Sequence, residues 1–433
     1  MAMDGKELVE KLAKLSQVQS IKDIPQLTHA LFPGTHCPLM GAAMAVGGIK
    51  DSLIVVVGTD ECTYYTKSMT IHSEKFGGID GRCVSVVLDD HDVTFGSAEK
   101  VQGAFKEIIE EYRPQCVFLV TTCVIEIIGD DFDAISEGLS KLYGIPVLPV
   151  HTEHFKCEDH LPGLERTITV CAEMMKSCDC ENSVNLLGQR MGDFATTELY
   201  AMLQKAGVKI GLQLPCGCSV DDIKNAAAAK VNIVVNDIAL PLAQKMQEKF
   251  GIPYVYFNKF VIPEKIYEAY KNLFVYLDLE LPGELEGLYQ NAREKIEKNK
   301  GELEGITYIY GNTPYAVFEM NCFLSSLGMV PQVIQTNRYT EADEPYAKEI
   351  LQYTDPYVCK AANIAPLQYV YDVLSPYLYL GHEFGNRLRQ KGIAIVDSDR
   401  ASGMLGFEVT GYLLQQLVKS VREAKEYRKE LGL

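Results

Sequence analysis

The sequence has no apolar run long enough to cross a bilayer and no stretch rich in lysine or arginine. Its apolar runs, such as 53–57 and 117–120, are far shorter than the roughly 20 residues that a membrane helix needs. The formal net charge of -17 repels phosphate backbones. Membrane-spanning and nucleic-acid-binding proteins are therefore excluded, and the charged, amphipathic N-terminus predicts a cytoplasmic protein without a targeting segment.

Glycine-rich phosphate loops are also missing. The sequence contains no GxxxxGK[ST] motif and no well-placed GxGxxG motif. Motifs therefore give no support for nucleotide hydrolysis or for a dinucleotide cofactor in this chain. If the activity uses ATP, we expect another subunit to bind it.

What is present is a long, apolar-rich chain with many cysteines. Its 433 residues are 47% hydrophobic and 23% charged, which predicts several compact domains. Thirteen cysteines are many for a protein without a signal peptide, and the odd number argues against complete pairing. In a reducing compartment such thiols are metal ligands or buried apolar residues more often than disulfides.

The order of patterns along the chain predicts an α/β fold. A short β-branched run, a loop and an amphipathic helix follow one another repeatedly, as in parallel α/β units. A helix, a glycine and an apolar strand recur at Gly144, Gly251 and Gly392. We therefore predict three Rossmann-like domains whose parallel sheets are flanked by helices. The predicted segments are an N-terminal helix at 1–22 and domains at 23–178, 184–300 and 301–433, the last ending in a helix.

Three cysteines occupy positions where such folds bind ligands, beyond the carboxyl ends of strands. Cys62 follows the strand LIVVV, Cys123 ends the strand CVFLVTTC, and Cys37 lies in the loop PGTHCPLMGA. Thiolates are the preferred ligands of iron-sulfur clusters, and the hydroxyl groups of Thr121 and Thr122 could donate hydrogen bonds to cluster sulfides. A buried, unliganded cysteine is the alternative, and it is preferred for Cys83, Cys116, Cys171, Cys322 and Cys359.

The first predicted domain resembles the nitrogenase component 1 family in four separate blocks. These are HCPLMGA, GTDECTYY, DVTFGSAEKV and TTCVIEIIGDDFDAI. The last block is especially similar to the β-subunit branch of the family. The resemblance continues more weakly through VNIVVNDIALPLAQKMQEKFGIPYVYFN and GFEVTGYLLQQ, and so covers most of the chain. It implies three domains of one α/β type.

The resemblance also implies a cofactor and partners. It assigns Cys37, Cys62 and Cys123 to an iron-sulfur cluster at the interface of two related subunits. Three thiolates cannot fill the four iron sites of a cubane. A second chain, identical or homologous, would therefore complete a [4Fe-4S] cluster or a larger, bridged cluster that resembles the nitrogenase P-cluster. A separate ATP-hydrolysing iron protein is the implied electron donor.

The chain departs from nitrogenase where the active-site metal cofactor would be held. No cysteine follows the strand VNIVV, and Asp397 stands in the stretch where a histidine is expected. Dinitrogen reduction is therefore not expected. A small unsaturated substrate, for example a tetrapyrrole, fits the resemblance better. His151, His154 and Asp397 are the candidate proton donors, because each follows an apolar strand.

Two alternatives remain open from the sequence. The chain could be a scaffold on which a metal cofactor is assembled, or a cluster-free α/β protein that binds a ligand. Cys216 and Cys218 could form a second metal site, because Pro and Gly are expected to expose both thiols before a helix, whose N-terminus would lower their pKa.

Overall fold

A computed structural model of the chain describes residues 4–27, 36–71, 81–157, 159–190, 192–311, 313, 315–360 and 364–433. The described part of the chain forms three larger sheets, parallel except for one edge strand and each flanked by helices, and a short two-stranded ladder. This arrangement confirms the predicted α/β fold. The sheets follow one another along the sequence, because each is built from consecutive strand and helix units.

The N-terminal segment is less helical than predicted for 1–22. The helix α1 covers only Gly5–Glu10, and β1 (Ala13–Lys14) follows it. Ser20 then caps a short 3-10 turn, because its side chain accepts a hydrogen bond from the backbone of Lys22. The segment packs on the third sheet, where β1 forms an antiparallel edge strand.

The first sheet has the strand order β4-β3-β5-β6, and its two middle strands are buried on both faces. Chain order reverses between β3 and β5, which makes a crevice beyond the carboxyl ends of these two strands. In chain order, the elements of this region are α2 (Pro38–Gly47), β2 (Ile49–Lys50), β3 (Ser52–Gly58), α3 (Asp60–Ile71), β4 (Cys83–Val87), α4 (Asp90–Phe95), α5 (Ala98–Tyr112), β5 (Cys116–Thr121), α6 (Cys123–Ile128), α7 (Phe132–Tyr143), β6 (Val147–Val150) and α8 (Leu161–Val170).

The second sheet has the order β11-β10-β7-β8, with its own reversal between β7 and β10. Its first strand begins before the predicted boundary at 184. The elements are β7 (Glu181–Gln189), α9 (Glu198–Lys205), β8 (Lys209–Pro215), β9 (Cys218–Ser219), α10 (Val220–Lys224), β10 (Ala229–Val234), α11 (Leu240–Phe250), β11 (Tyr254–Tyr256), α12 (Pro263–Leu277) and α13 (Leu285–Leu303).

The third sheet has six strands in the order β1-β14-β13-β12-β15-β16. All neighbours except β1 and β14 are parallel. The elements are β12 (Thr307–Tyr310), α14 (Val317–Ser326), β13 (Val330–Gln335), α15 (Glu344–Ile350), β14 (Tyr357–Cys359), α16 (Ile364–Leu374), β15 (Leu378–Leu380), α17 (Gly385–Arg389), β16 (Ala394–Val396) and α18 (Glu408–Leu431).

Shared apolar cores fix the positions of the first two sheets. One core contains residues of α2, α8 and α11 together with inward residues of both sheets, such as Val56 and Leu187. The short strands β2 and β9 pair across the same junction, with Ile49 opposite Cys218. The opposite face of the first sheet packs against α5 and α7, so α2 and α8 are held between two sheets.

Candidate metal centre

Cys62 lies in the first turn of α3, directly after the buried strand β3. The strand ends at Gly58, and Thr59 and Asp60 lead the chain into the helix. The hydroxyl group of Thr59 donates to Sγ of Cys62 at 3.5 Å. The thiol is therefore partly buried at the carboxyl edge of the sheet and already accepts one hydrogen bond.

Cys123 is the first residue of α6 and follows β5, the neighbour of β3. The backbone N–H of Val124 interacts with its sulfur, as expected at a helix N-terminus, and lowers the pKa of the thiol. Burial and the neighbouring Cys62 and Cys37 raise the pKa more, so the net shift is upward. Cys62 and Cys37 are thus near enough to Cys123 to act on its thiol electrostatically.

Cys37 is the N-cap residue of α2, with Pro38 in the first helical position. Two glycines hold this end of α2 against α8. A Cβ on Gly41 would lie 1.9 Å from the carbonyl oxygen of His160, and one on Gly163 would lie 1.8 Å from that of Pro38. The close crossing of these helices thus places Cys37 beside the crevice, although α2 precedes the first strand of the sheet in the sequence.

We call this carboxyl edge of the first sheet, with Cys37, Cys62 and Cys123, the thiol edge. All three cysteines are free, partly buried and located at the start of a helix. Among the described residues, their sulfurs do not form a group within 4.8 Å of one another. A single tetrahedral ion would need closer sulfurs, whereas a multi-iron cluster binds each thiolate at a different iron.

A compact acidic group lies near the thiol edge, after β4. Ligand atoms of Asp89, His91 and Asp92 lie within 4.8 Å of one another. The ammonium group of Lys100 already bonds to Asp89 at 2.9 Å and to Asp92 at 2.6 Å, and this holds the pKa of Asp89 at about 2. The lysine therefore supplies the positive charge that a cation would otherwise bring.

Thr121 and Thr122 are buried, and the structure uses their hydroxyl groups differently from the sequence prediction. The hydroxyl of Thr121 donates to Oε1 of Glu126 at 2.7 Å, and that of Thr122 donates to the carbonyl oxygen of Val57 at 2.9 Å. The first bond joins the end of β5 to α6, and the second joins the chain after β5 to the neighbouring strand β3. Each hydroxyl has one hydrogen, so neither is left to donate to a cluster sulfide in this arrangement.

Glu126 is a positioning residue that the sequence analysis missed. Its Oε1 also accepts hydrogen bonds from the hydroxyl of Thr152 at 3.1 Å and from the backbone N–H of Glu153 at 2.6 Å. The carboxylate thereby joins α6, which begins at Cys123, to the chain that follows β6. The sequence signal that could have identified Glu126 is its position three residues after Cys123, in a predicted strand-to-helix turn.

The three candidate proton donors divide between two sheets. His151 and His154 follow β6, and Nε2 of His151 lies 3.2 Å from Oδ1 of Asp133. His154 is exposed in a 3-10 turn at 154–156. Asp397 is exposed after β16 of the third sheet, where its Oδ1 accepts the backbone N–H of Asp399 at 3.1 Å. Only the histidines therefore share the sheet of the cysteines.

The remaining cysteines of interest are mostly buried. Cys83, Cys116, Cys171, Cys322 and Cys359 are each at most 6% exposed, in agreement with the preferred interpretation. The expectation that both thiols are exposed is wrong for Cys218, because β9 pairs with β2 and carries it into the apolar core, whereas Cys216 is partly buried. Burial raises the pKa of Cys218 to about 12 and also raises that of Cys216.

Four large apolar residues surround the thiol edge, and we call them the apolar rim. They are Tyr64, Phe95, Ile127 and Phe155, each between 70% and 76% exposed. They lie on α3, α4, α6 and the 154–156 turn, the elements that follow the four strands of the first sheet. Exposed apolar residues grouped in this way are typical of a surface that binds another protein.

No described helix combines the length and the apolar character required to span a membrane.

Comparison with known proteins extends the resemblance to almost the whole chain. The model of the family described as nitrogenase component 1 type oxidoreductase matches residues 37–422. The NifE nitrogenase iron-molybdenum cofactor biosynthesis protein of Rippkaea orientalis is 25% identical over 331 residues, or 73% of this chain and 69% of that protein. The nitrogenase molybdenum-iron protein alpha chain of Methanosarcina barkeri is 24% identical over 332 residues, or 72% and 62%.

A higher identity is found over a shorter segment. NifE of Clostridium pasteurianum is 30% identical over 224 residues, which is 51% of this chain and 49% of that protein. The match therefore spans about half the length of this curated relative. Among solved structures, nitrogenase Cp1 at pH 6.5 superimposes with a TM-score of 0.75 at 14% identity, over 93% of this chain and 95% of that one.

At 14% identity the superposition shows the fold, and the family match carries the classification. Its extent, residues 37–422, includes every strand of the three sheets except the edge strand β1, and it includes the three cysteines of the thiol edge. The chain belongs to the nitrogenase component 1 type oxidoreductase family.

Proposed function

We propose that this chain binds an iron-sulfur cluster through Cys37, Cys62 and Cys123 and is the electron-accepting subunit of a two-component, nitrogenase-like reductase. The observation that carries the proposal is the convergence of three free, partly exposed cysteines at the crevice between β3 and β5. These cysteines are far apart in sequence, and each lies at the start of a different helix.

The residues at the thiol edge fit such a cluster. The thiols repel one another as thiolates, which is part of why the pKa of Cys123 is raised. Iron would compensate this negative charge, and helix N-termini and the hydroxyl of Thr59 stabilise the thiolate forms. When bound, the cluster would supply reversible one-electron transfer. The chain's own contribution is to hold three ligands and to exclude water from one side.

We further propose that a second chain of the same family completes the cluster site. Three thiolates leave ligand positions unfilled on a [4Fe-4S] or a larger cluster. The apolar rim surrounds the thiol edge on all four strand ends and would be covered by such a partner. The cluster would then lie at a subunit interface, with its remaining ligands supplied from the other side.

The proposed electron donor is a separate ATP-dependent iron protein. This chain has no phosphate-binding loop in its sequence, so ATP hydrolysis is assigned to that partner. The proposed substrate is a small unsaturated molecule, for example a tetrapyrrole, and not dinitrogen. Asn236 and Asp237 follow β10 and Asp397 follows β16, where nitrogenase would require its cofactor ligands. His151 and His154 are the proposed proton donors near the thiol edge, and Asp397 is the one at the third sheet.

A second candidate function is a scaffold for assembling a metal cofactor. Several of the curated relatives, those of Rippkaea orientalis and Clostridium pasteurianum among them, are named as cofactor biosynthesis proteins. A scaffold would also need a cluster-binding edge. It differs from a reductase in what leaves the protein, because a scaffold releases a metal cofactor, whereas a reductase releases a reduced substrate.

Iron analysis tests the cluster. Protein purified without oxygen is expected to contain iron and acid-labile sulfide, and Cys37→Ser, Cys62→Ser and Cys123→Ser are each expected to lose most of both. Cys178→Ser is the matched control, because Cys178 is an exposed cysteine away from the first sheet. Full iron retention in all three variants would remove the proposal.

Turnover separates the two candidate functions. The purified chain, its partner chain, an iron protein and ATP are combined with candidate substrates, and reduced product is measured. In a parallel assay, an apo-acceptor protein is added and transfer of metal to it is measured. Substrate reduction without metal transfer supports the reductase. Metal transfer without reduction supports the scaffold.

A further inference from the structure

A second group of charged residues lies at the junction of the second and third sheets. Arg190 follows β7 and Lys259 follows β11, both at the carboxyl edge of the second sheet. The 3-10 turn at 400–403, after β16 of the third sheet, faces them. A Cβ on Gly192 would lie 2.7 Å from Cα of Gly403, so the two sheets approach closely here. Arg190 also flanks the reversal between β7 and β10, where ligands bind in such folds.

Lys259 is a buried ammonium group, and none of the acidic residues that the structure describes forms an ion pair with it. It is 8% exposed, and its Nζ donates to the carbonyl oxygen of Ser402 across the junction. Burial and, to a smaller extent, the positive charge of Arg190 together lower the pKa of Lys259 to about 7. A lysine is rarely buried unless it is paired, because removal of the charge from water is unfavourable.

Arg190 is partly buried and belongs to the same group. Burial lowers the pKa of its guanidinium, as does Arg338, while Cys216 and Asp159 act in the opposite direction. In the portions of the chain that the structure covers, neither Arg190 nor Lys259 has a carboxylate at ion-pair distance. We call these two residues the cation pair.

The acids nearest to the cation pair are engaged elsewhere. Oδ1 of Asp159 lies 3.9 Å from the guanidinium of Arg338. Asp237 accepts a hydrogen bond from the hydroxyl of Tyr256, and the amide of Asn258 donates to that hydroxyl at 2.9 Å. A buried lysine and a partly buried arginine that repel each other, beside a crevice and with no carboxylate at ion-pair distance among the described residues, are the arrangement that an anionic ligand would stabilise.

We propose that Arg190 and Lys259 form an oxyanion subsite, which holds a carboxylate or phosphate group of the substrate between the second and third sheets. The inference deepens the proposed function, since it assumes that this crevice is where the substrate binds. Arg190 offers a planar fork of N–H donors, which suits two oxygens of one group, and Lys259 adds a point charge. The substrate class is therefore an unsaturated molecule that carries at least one anionic side group.

Calorimetry without oxygen tests the subsite directly. Citrate and inorganic phosphate are titrated separately into the purified protein at pH 6.5, with ionic strength held constant by sodium chloride. We expect at least one of them to bind. Lys259→Met and Arg190→Gln should each weaken binding about tenfold or more, as expected for loss of a charge-assisted hydrogen bond. Arg293→Gln, an exposed guanidinium on α13 near Glu264, is the matched control and should bind like the parent.

Thermal unfolding distinguishes a binding role from a structural one. Lys259→Met removes an unpaired buried charge, so the ligand-free variant should be at least as stable as the parent while it loses anion binding. Equal anion binding by the parent and both variants, or no binding of either anion to the parent, would overturn the inference.

The same titration on Cys62→Ser separates this inference from the proposed function. The cation pair lies on other sheets, so loss of the cluster should leave anion binding intact. Retained binding together with retained iron would contradict only the cluster. Lost iron together with anion binding that is insensitive to Lys259 and Arg190 would contradict only the oxyanion subsite.

Discussion

The thiol edge and the cation pair are both located beyond the carboxyl ends of parallel strands, yet they differ in what surrounds them. The thiol edge is open, with partly exposed cysteines and an apolar rim that faces outward. The cation pair is closed between two sheets, and its lysine is 8% exposed. The open site suits a metal cluster whose coordination is completed by a second protein chain. The closed site suits a small molecule that brings its own negative charge.

The largest expected difference is in thiol reactivity. In metal-free protein at pH 8, Cys37 and Cys62 should react with iodoacetamide at least about a hundredfold faster than Cys116 or Cys359. The reason is that burial raises the pKa of both Cys116 and Cys359 to about 12. Mass spectrometry of timed samples measures each site. Similar rates for Cys62 and Cys116 would show that the thiol edge is not open.

The next effect, on the free energy of unfolding, is expected where α2 crosses α8 beneath the thiol edge. Gly163→Ala would place a Cβ 1.8 Å from a backbone oxygen of α2, and we expect it to lower the free energy of unfolding by about 3 kcal/mol. Gly103→Ala is the control. Gly103 is exposed on α5 with no atom near its Cβ position, so this change should stabilise the protein by about 0.5–1 kcal/mol. Urea unfolding measures both, and equal effects would contradict the close packing of α2 on α8.

The closed site should show a pH dependence of opposite sign to that of Cys123 at the open site, whose pKa is raised. The pKa of Lys259 is about 7 in the folded protein and ordinary, near 10.5, when unfolded. Between these values the unfolded chain binds the extra proton, so this group makes the folded state more stable as pH rises from 7 to 10.5. The parent should gain about 5 kcal/mol relative to Lys259→Met over this window.

Unfolding of both proteins at several pH values measures that difference. The comparison with Lys259→Met is needed because the buried cysteines titrate in the opposite sense. Their raised pKa values make the folded state less stable above pH 9. A constant difference between the parent and the variant would show that Lys259 is not a buried, unpaired charge.

The smallest expected effect on stability concerns the hydrogen bonds that hold α6 in place at the thiol edge. Glu126→Gln replaces a carboxylate that accepts three hydrogen bonds at the start of α6, and we expect it to lower the free energy of unfolding by about 1 kcal/mol. Glu111→Gln, at an exposed position of α5, should change stability by less than about 0.5 kcal/mol. Urea unfolding measures both variants. Equal stability of the two would show that the carboxylate does not hold the edge together.

Much of the architecture could be predicted from local patterns. Strands such as β3 and β5 are runs of β-branched residues, and Gly144 and Gly251 end their helices in the left-handed conformation, with φ of 68° and 73°. The N-terminal segment could not be predicted in the same way. Its helical pattern extends beyond Glu10, but pairing of β1 with β14 of the third sheet decides its conformation.

For the cysteines, too, local sequence patterns predict some positions and tertiary contacts decide others. The loops that hold Cys62 and Cys123 follow strands that are evident in the sequence. The loop that holds Cys218 looks equally exposed, yet a two-residue ladder with β2 places it in the core. Thr121 and Thr122 are polar residues beside a cysteine, and only the position of Glu126 and Val57 shows where their hydroxyl hydrogens go.

The sequence by itself determined the α/β class and the family, and it predicted the three cysteine ligands, because each of these inferences depends on motifs of residues that are neighbours along the chain. Only the tertiary structure decided how the close crossing of α2 and α8 positions Cys37, that Glu126 joins two strand ends, and that Arg190 and Lys259 lie at one junction. Those contacts join residues that are far apart in sequence. Their formation depends on how helices and sheets pack, which local periodicity does not encode.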